Sequence, residues 1–329
     1  MAMRPLQLPR DLLPMAEMTK KAWQYPENPE WGLQPDEEES ITESMQSLKR
    51  IWPVIRLVQW LSPNMRDLLR GYAWEEDGQL VGFTSANRQG GTDTWYISAV
   101  GVRPAYRRRG IALKLVEATN ELIRTRGGHK VLLDMTDGNT PAYKLYEKLG
   151  FEHYSSSGMY HITPDQAPPE PPLPEGYLLD PLDYTDWRSR YELERRITPE
   201  SLLQYEPVEQ SRYRRPLLAR LLRPIVMAAE RIRRYDFVIR TDEGQLVAWA
   251  WYEARTRSSG VNSIEVKLDP AHDKLSIYLI NDLLHKTITL SPGHRVEIIV
   301  PTWMEAVTQA VEEACFKRRL GGLRMGLLL

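Results

Sequence analysis

The chain repeats itself. EDGQLVGF around Gly78 returns as DEGQLVAW around Gly244, an offset of 244 − 78 = 166, and Pro104 in VRPAYRRRG returns as Pro270 in LDPAHDKLS, again 270 − 104 = 166. GGHKV with Val131 and PGHRV with Val296 differ by 165, as do Phe151 and Phe316. Anchors at a near-constant offset describe a tandem duplication, so the fold must be one that each half can adopt. At 329 residues each half is long enough to bury a core of its own. Between the copies, PDQAPPEPPLP from Pro164 to Pro174 cannot hold helix or sheet and reads as a semi-rigid spacer. The expected division is a first domain over residues 1–163, a linker over 164–175 and a second domain over 176–329.

Within the first copy the hydrophobic period changes at one place. Trp95 to Val102 is β-branched and aromatic, which suits a strand. From Ile111 onward, Leu115, Ala118 and Leu122 recur at helical spacing with Lys114, Glu117 and Glu121 opposite. The stretch VRPAYRRRGIA therefore forms a strand-to-helix turn, where the first amides of the helix lack intrahelical partners and carry the positive end of its dipole. An anion can dock there, most naturally a phosphate. Gly110 lets the backbone approach it, Ala112 keeps the next contact small, and Arg107, Arg108 and Arg109 supply charge. A second strand, Lys130 to Asp134, follows the Gly127-Gly128 stop, and then NTPAYKLYEKLGFE from Asn139 to Glu152.

These two motifs, in this order and at this separation, resemble the GNAT family of acyl-CoA N-acyltransferases, whose pattern runs strand, V-x-P-x-x-[QR]-x-x-G-x-[GA], helix, strand, N-x-x-A-x-x-x-Y-x-x-x-G-F. The resemblance covers about Leu80 to Glu152. It implies an α/β (α+β) fold in which each copy is a mixed twisted sheet flanked by helices, and an N-acetyltransferase, an enzyme transferring acyl groups other than aminoacyl groups. Acetyl-CoA is the implied cosubstrate and an amine-bearing molecule the acceptor. The strand around Val100 and Val102 would pair with the pantetheine arm, the amides of Arg108, Arg109, Gly110, Ile111 and Ala112 with Arg107 would take the pyrophosphate, Asn139 would contact the pantetheine, and Tyr146 would protonate the departing thiolate. Many relatives carry a carboxylate as general base on the strand before the turn, but Trp95 to Val102 has none, leaving Tyr96 and Ser98 to relay a proton. The rival reading is a non-catalytic CoA-binding or regulatory module, which would keep the turn without needing Tyr146.

The second copy departs from the pattern. At the 166 offset Arg107, Gly110 and Ala112 become Asp273, Ser276 and Tyr278, an acid, a side chain and a ring where a pyrophosphate would lie. Asn139 and Tyr146 fall at 165 on Met304 and Val311. The second domain is expected to be a degenerate, non-catalytic partner, making the chain a monomer that behaves as a pseudo-dimer with one coenzyme. The first copy also has about ten more residues before its hairpin, including Tyr25 to Glu39. Trp31 as an apolar wall and Asp36, Glu37, Glu38 and Glu39 as attractors of a cationic amine are the acceptor-site candidates, with helix capping as the alternative for the four acids.

Charge excludes some partners. With 43 Lys and Arg against 44 Asp and Glu there is no global field to draw the chain onto nucleic acid, although Ser211 to Arg234 forms a local arginine-rich stretch. No apolar run suits a membrane span and MAMRPLQLPRD does not resemble a signal peptide, so a cytoplasmic location is expected. Cys315 is the lone cysteine and the six histidines lack ligand spacing, so no disulfide and no metal are expected, with Cys315 packed in a helical segment.

Overall fold

The structure, a computed structural model, describes residues 2–25, 27–61, 66–90, 92–214, 232–255 and 260–329. Most of the arginine-rich stretch lies outside these residues. In chain order the first copy forms β1 (Ala2–Pro5), α1 (Leu12–Ala22), α2 (Pro35–Leu61), β2 (Arg70–Glu76), β3 (Gln79–Arg88), β4 (Thr94–Val102), α3 (Ile111–Thr125), β5 (Lys130–Thr136), α4 (Thr140–Lys148) and β6 (Glu152–Ile162). The second forms β7 (Tyr177–Pro181), α5 (Trp187–Ile197), β8 (Ile232–Thr241), β9 (Leu246–Arg255), β10 (Asn262–Leu268), α6 (Leu275–Leu290), β11 (Val296–Pro301), α7 (Glu305–Glu313) and β12 (Lys317–Leu328). Among the described residues no helix is long and apolar enough to cross a membrane.

The compact units are not the linear halves. One comprises Met1–Tyr154 with Gly322–Leu329, the other Ser155–Gly321. In the first the strands lie in the order β1-β2-β3-β4-β5-β12, and in the second in the order β7-β8-β9-β10-β11-β6. Each sheet thus takes its last strand from the other copy. The exchange keeps the register of the repeat: Leu328 pairs with Lys130 and Ile162 with Val296, and both differences, 328 − 162 and 296 − 130, equal 166. β6 and β12 take equivalent registers against equivalent partners, so exchanging them keeps the strand pairing of each sheet. The proline-rich stretch has no regular structure, but with its flanks it lies inside the second unit. There Ala167 and Leu173 pack on the core and His285 Nδ1 donates to Pro168 O at 2.6 Å. It therefore crosses one unit instead of linking two domains.

In the first unit, β2 and β3 form a hairpin whose turn residues Asp77 and Gly78 both have positive φ, 50° and 72°, matching the twist of the strands. α3 buries Ile111, Leu115, Val116 and Ile123 on the sheet. Its Thr119 hydroxyl bonds to Thr84 on β3 at 2.7 Å, and both residues are fully buried, so the helix is fixed over β3 with its polar atoms satisfied. On that same face Trp95, Ile97, Val131, Leu133, Tyr146 and Phe151 form a core closed by Met325 of β12, which is 0 % exposed. The helix expected over Ser40–Arg50 runs on through Pro53 to Leu61. Burial of Trp52 just before the proline and of Val58 beyond it outweighs the backbone bond it removes. Cys315 is exposed, not packed: it follows α7 in a left-handed conformation, φ 63°.

Candidate active site

The site begins where two strands part. β4 and β5 are parallel neighbours from Thr94↔Lys130 to Ile97↔Leu133, yet β4 continues to Val102 and β5 to Thr136. A bulge at Ser98 starts the divergence: on β3, Ser85 pairs with Ala99 and Ala86 with Ile97, skipping one β4 residue. Beyond Ile97 the backbone of β4, including Val100 and Val102, is laddered to β3 alone. An extended chain placed in this opening can take the hydrogen bonds β5 no longer takes.

At the end of the same strand the chain turns through a short 3-10 turn, Pro104–Tyr106, into α3. Arg108 and Gly110 adopt left-handed conformations, φ 61° and 77°. No side chain caps α3, and the space where a Gly110 Cβ would sit has no atom within 4 Å. Uncapped amides behind an unobstructed glycine suit a phosphate, and the residues present fit the pyrophosphate of a coenzyme A. Arg108 and Arg109 are exposed at the turn, Arg109 lying 3.8 Å from Glu76.

Arg107 does something other than expected. Its guanidinium donates to Ala22 O at 2.6 Å and to Val102 O at 3.3 Å, and it stacks over the Tyr25 ring at 5.2 Å. It ties the turn to the end of α1. Tyr25, which the sequence did not single out, links several candidates: it packs edge-on against Trp31 at 5.7 Å and adds to the electrostatic cost of ionising Tyr146. Trp31 lies against the loop after β5, where a Cβ on Gly138 would come within 3.1 Å of the indole.

Tyr146, on α4, is 7 % exposed and edge-packed on Phe151 at 5.8 Å. Burial first, then the Tyr25 phenol, pushes its ionisation well above the usual tyrosine range, so the hydroxyl keeps its proton. Asn139 starts α4 and accepts from Ala142 N at 3.3 Å, so it caps the helix. The four acids divide. Asp36 accepts from Glu37 N and Glu37 from Gln34 N, at 3.1 and 2.7 Å, which is the capping alternative. Glu38 and Glu39 follow in the first turns of α2.

A carboxylate does stand on the neighbouring strand, at Asp134. Tyr96 Oη donates to Asp134 Oδ2 at 2.9 Å, and Arg324 Nε on β12 stands 3.4 Å from Asp134 Oδ1. Asp134 is the residue just past the last β4–β5 pair, so the cluster sits where the strands separate. Its signal in the sequence was one acid inside the apolar run KVLLDM. Ser98 is not brought to this cluster: its hydroxyl is held by Ser85 Oγ at 2.8 Å.

The second unit has a parting pair too, since β10 and β11 are laddered only from Asn262↔Val296 to Ile264↔Ile298. The turn that follows differs. Asp273 and Lys274 are right-handed, φ −52° and −56°, so α6 begins without a left-handed step, and Ser276 N donates back to Asp273 O. Ser276 and Tyr278 are 5 % and 7 % exposed. Among the described residues no group of His, Cys, Asp and Glu could hold a metal ion.

Residues 30–151 match the Acetyltransferase (GNAT) family. A mycothiol acetyltransferase from Corynebacterium glutamicum is 37 % identical over 89 residues, covering 27 % of this chain and 30 % of that protein. N-alpha-acetyltransferase 30 from Schizosaccharomyces pombe is 32 % identical over 79 residues, covering 24 % and 53 %. The chain thus matches from under a third to about half the length of these relatives. Among solved structures, a tandem GNAT protein from the clavulanic acid biosynthesis pathway superposes with a TM-score of 0.65 at 15 % identity, over 99 % of this chain and 98 % of that one. A GCN5-related N-acetyltransferase from Sphaerobacter thermophilus gives 0.64 at 16 %, over 99 % and 95 %. Residues 30–151 thus match a GNAT domain, and the whole length has the fold of tandem GNAT proteins.

Proposed function

We propose that this GNAT-family chain is an N-acetyltransferase that carries an acetyl group from acetyl-CoA to a primary amine, with the reaction confined to the first unit. The observation that carries this reading is the junction at β4: one strand parts from β5, bears a proton-accepting cluster at the fork, and ends in an uncapped left-handed turn. Acetyl-CoA, when bound, supplies an acyl group already activated as a thioester.

The chain's own residues supply the rest. The amides of Arg108 to Ala112 bind the pyrophosphate, with Arg108 and Arg109 adding charge, while Arg107 holds the turn in shape through Ala22 and Val102. The free side of β4 at Val100 and Val102 orients the pantetheine arm alongside Asn139. Asp134, through the Tyr96 hydroxyl, receives the proton that an ammonium acceptor must lose before it can attack. Tyr146 holds a proton for the departing sulfur, and its burial keeps that proton in place across the working pH range. Tyr25 and Trp31, packed edge to face beside the loop after β5, offer the acceptor an apolar wall.

Thiol release from acetyl-CoA, measured against a panel of primary amines, tests the reading. Amine-dependent release is expected from the whole chain and is expected to be lost when Gly110 is replaced by Trp, which obstructs the turn without opening the core. Coenzyme binding without turnover on any amine would instead support a non-catalytic module.

A further inference from the structure

A second cavity in the first unit plays no part in the reaction described above. It measures about 500 Å³, the size of a small-molecule site. None of its lining residues belongs to β4, the turn or β5. Leu122 and Arg126 place it at the far end of α3 from Gly110, about 20 Å away along the helix axis. Its other walls come from α2 and from the edge of the sheet where β1 gives way to α1, with Leu6 and Leu69 apolar.

Its charged lining gives it a chemistry. Arg56, Arg70 and Arg126 all line it, and the carboxylate that answers them is Asp67, 7 % exposed, which takes Arg70 at 3.0 Å and Arg126 at 2.8 Å. Arg56 has no ion pair or hydrogen bond among the described residues. Three guanidiniums against one carboxylate leave an excess of positive charge beside apolar walls. Trp52 also lines the cavity, at 7 % exposure, and adds to its apolar wall.

We propose that this cavity binds a small organic carboxylate with an apolar body, at a site separate from acetyl transfer. The carboxylate matches the flat fork of Arg56, while the apolar body lies against Trp52, Leu6, Leu69 and Leu122. A phosphate shares the charge but not the apolar contact.

The test titrates the whole chain with phenylacetate, neutral phenylacetamide and inorganic phosphate, following the Trp52 indole N–H resonance assigned by its loss in Trp52→Phe. Phenylacetate should shift that resonance saturably, with phenylacetamide and phosphate at least about tenfold weaker, since one charge-assisted contact is worth roughly that factor. Arg56→Ala should weaken phenylacetate about tenfold and leave acetyl-CoA affinity unchanged. No saturable shift by phenylacetate up to roughly 10 mM, equal binding of phosphate, or indifference to Arg56→Ala would each overturn the proposal. Loss of acetyl transfer in an amine screen would touch only the function proposed for the fork, because this readout does not depend on turnover.

Discussion

Tyr96 and Asp134 lie 38 positions apart in sequence on neighbouring strands, and a 2.9 Å hydrogen bond joins them just where those strands part. In the proposed reaction, a carboxylate at that fork receives the proton an amine acceptor loses. Replacing Asp134 by Asn keeps the shape and removes the acceptor of that proton. Turnover should fall by about 10²-fold or more with acetyl-CoA affinity held, and Tyr96→Phe should fall less, because the carboxylate remains. Steady-state kinetics with coenzyme calorimetry checks both, and wild-type turnover in Asp134→Asn would remove Asp134 from the reaction.

Tyr146→Phe deletes one hydroxyl and keeps the edge contact with Phe151. Turnover should drop ~10²-fold with little change in coenzyme affinity or melting temperature. The sign of its pH dependence follows from burial, which raises the phenol above its ordinary value of about 10, so Tyr146 should cause no loss of turnover below roughly pH 10. An alkaline limb near neutrality that disappears in Tyr146→Phe would contradict the assignment.

One coenzyme per chain is the expected stoichiometry. The second turn lacks the left-handed backbone of Arg108 and Gly110, and Tyr278 is part of the second core. Ser276→Gly alone should therefore create no second site, since the right-handed Asp273 and Lys274 still close the turn. Calorimetric titration giving two sites of similar affinity on the unaltered chain would falsify this.

The strand exchange makes residues 322–328 part of the first unit. Met325→Ala should cost about 2–5 kcal/mol of stability through the cavity it opens beneath Leu133 and Phe151. A chain stopped after Gly321 should lose acetyl-CoA binding altogether, although its motif residues are all present. Coenzyme affinity that survives this truncation would show that β5 does not need β12.

Much of this was legible in the residues. The change of period at Ile111 located the turn, the Asp77-Gly78 pair located the hairpin, and the substitutions at Asp273, Ser276 and Tyr278 marked the second turn as different. What was not legible depends on pairing between distant strands. Asp134 looks like an ordinary polar position until β5 is set beside β4, and Arg324 reaches it only through β12. Arg107 reads as a phosphate ligand by type, but whether a guanidinium meets an anion or a carbonyl is decided by Ala22, 85 positions away. The exchange left no trace because the pattern of β6 or β12 marks a strand but not which sheet edge it joins.

That exchange also sets an order of assembly. Lys130 waits for Leu328, 328 − 130 = 198 positions later in synthesis. At about 5–20 residues per second, the ribosome leaves the edge of β5 unpaired for roughly 10–40 s. The second unit receives its strand from β6, already made before β7 emerges, and can close its sheet as soon as β11 appears. The half of the protein that is made first is therefore finished last.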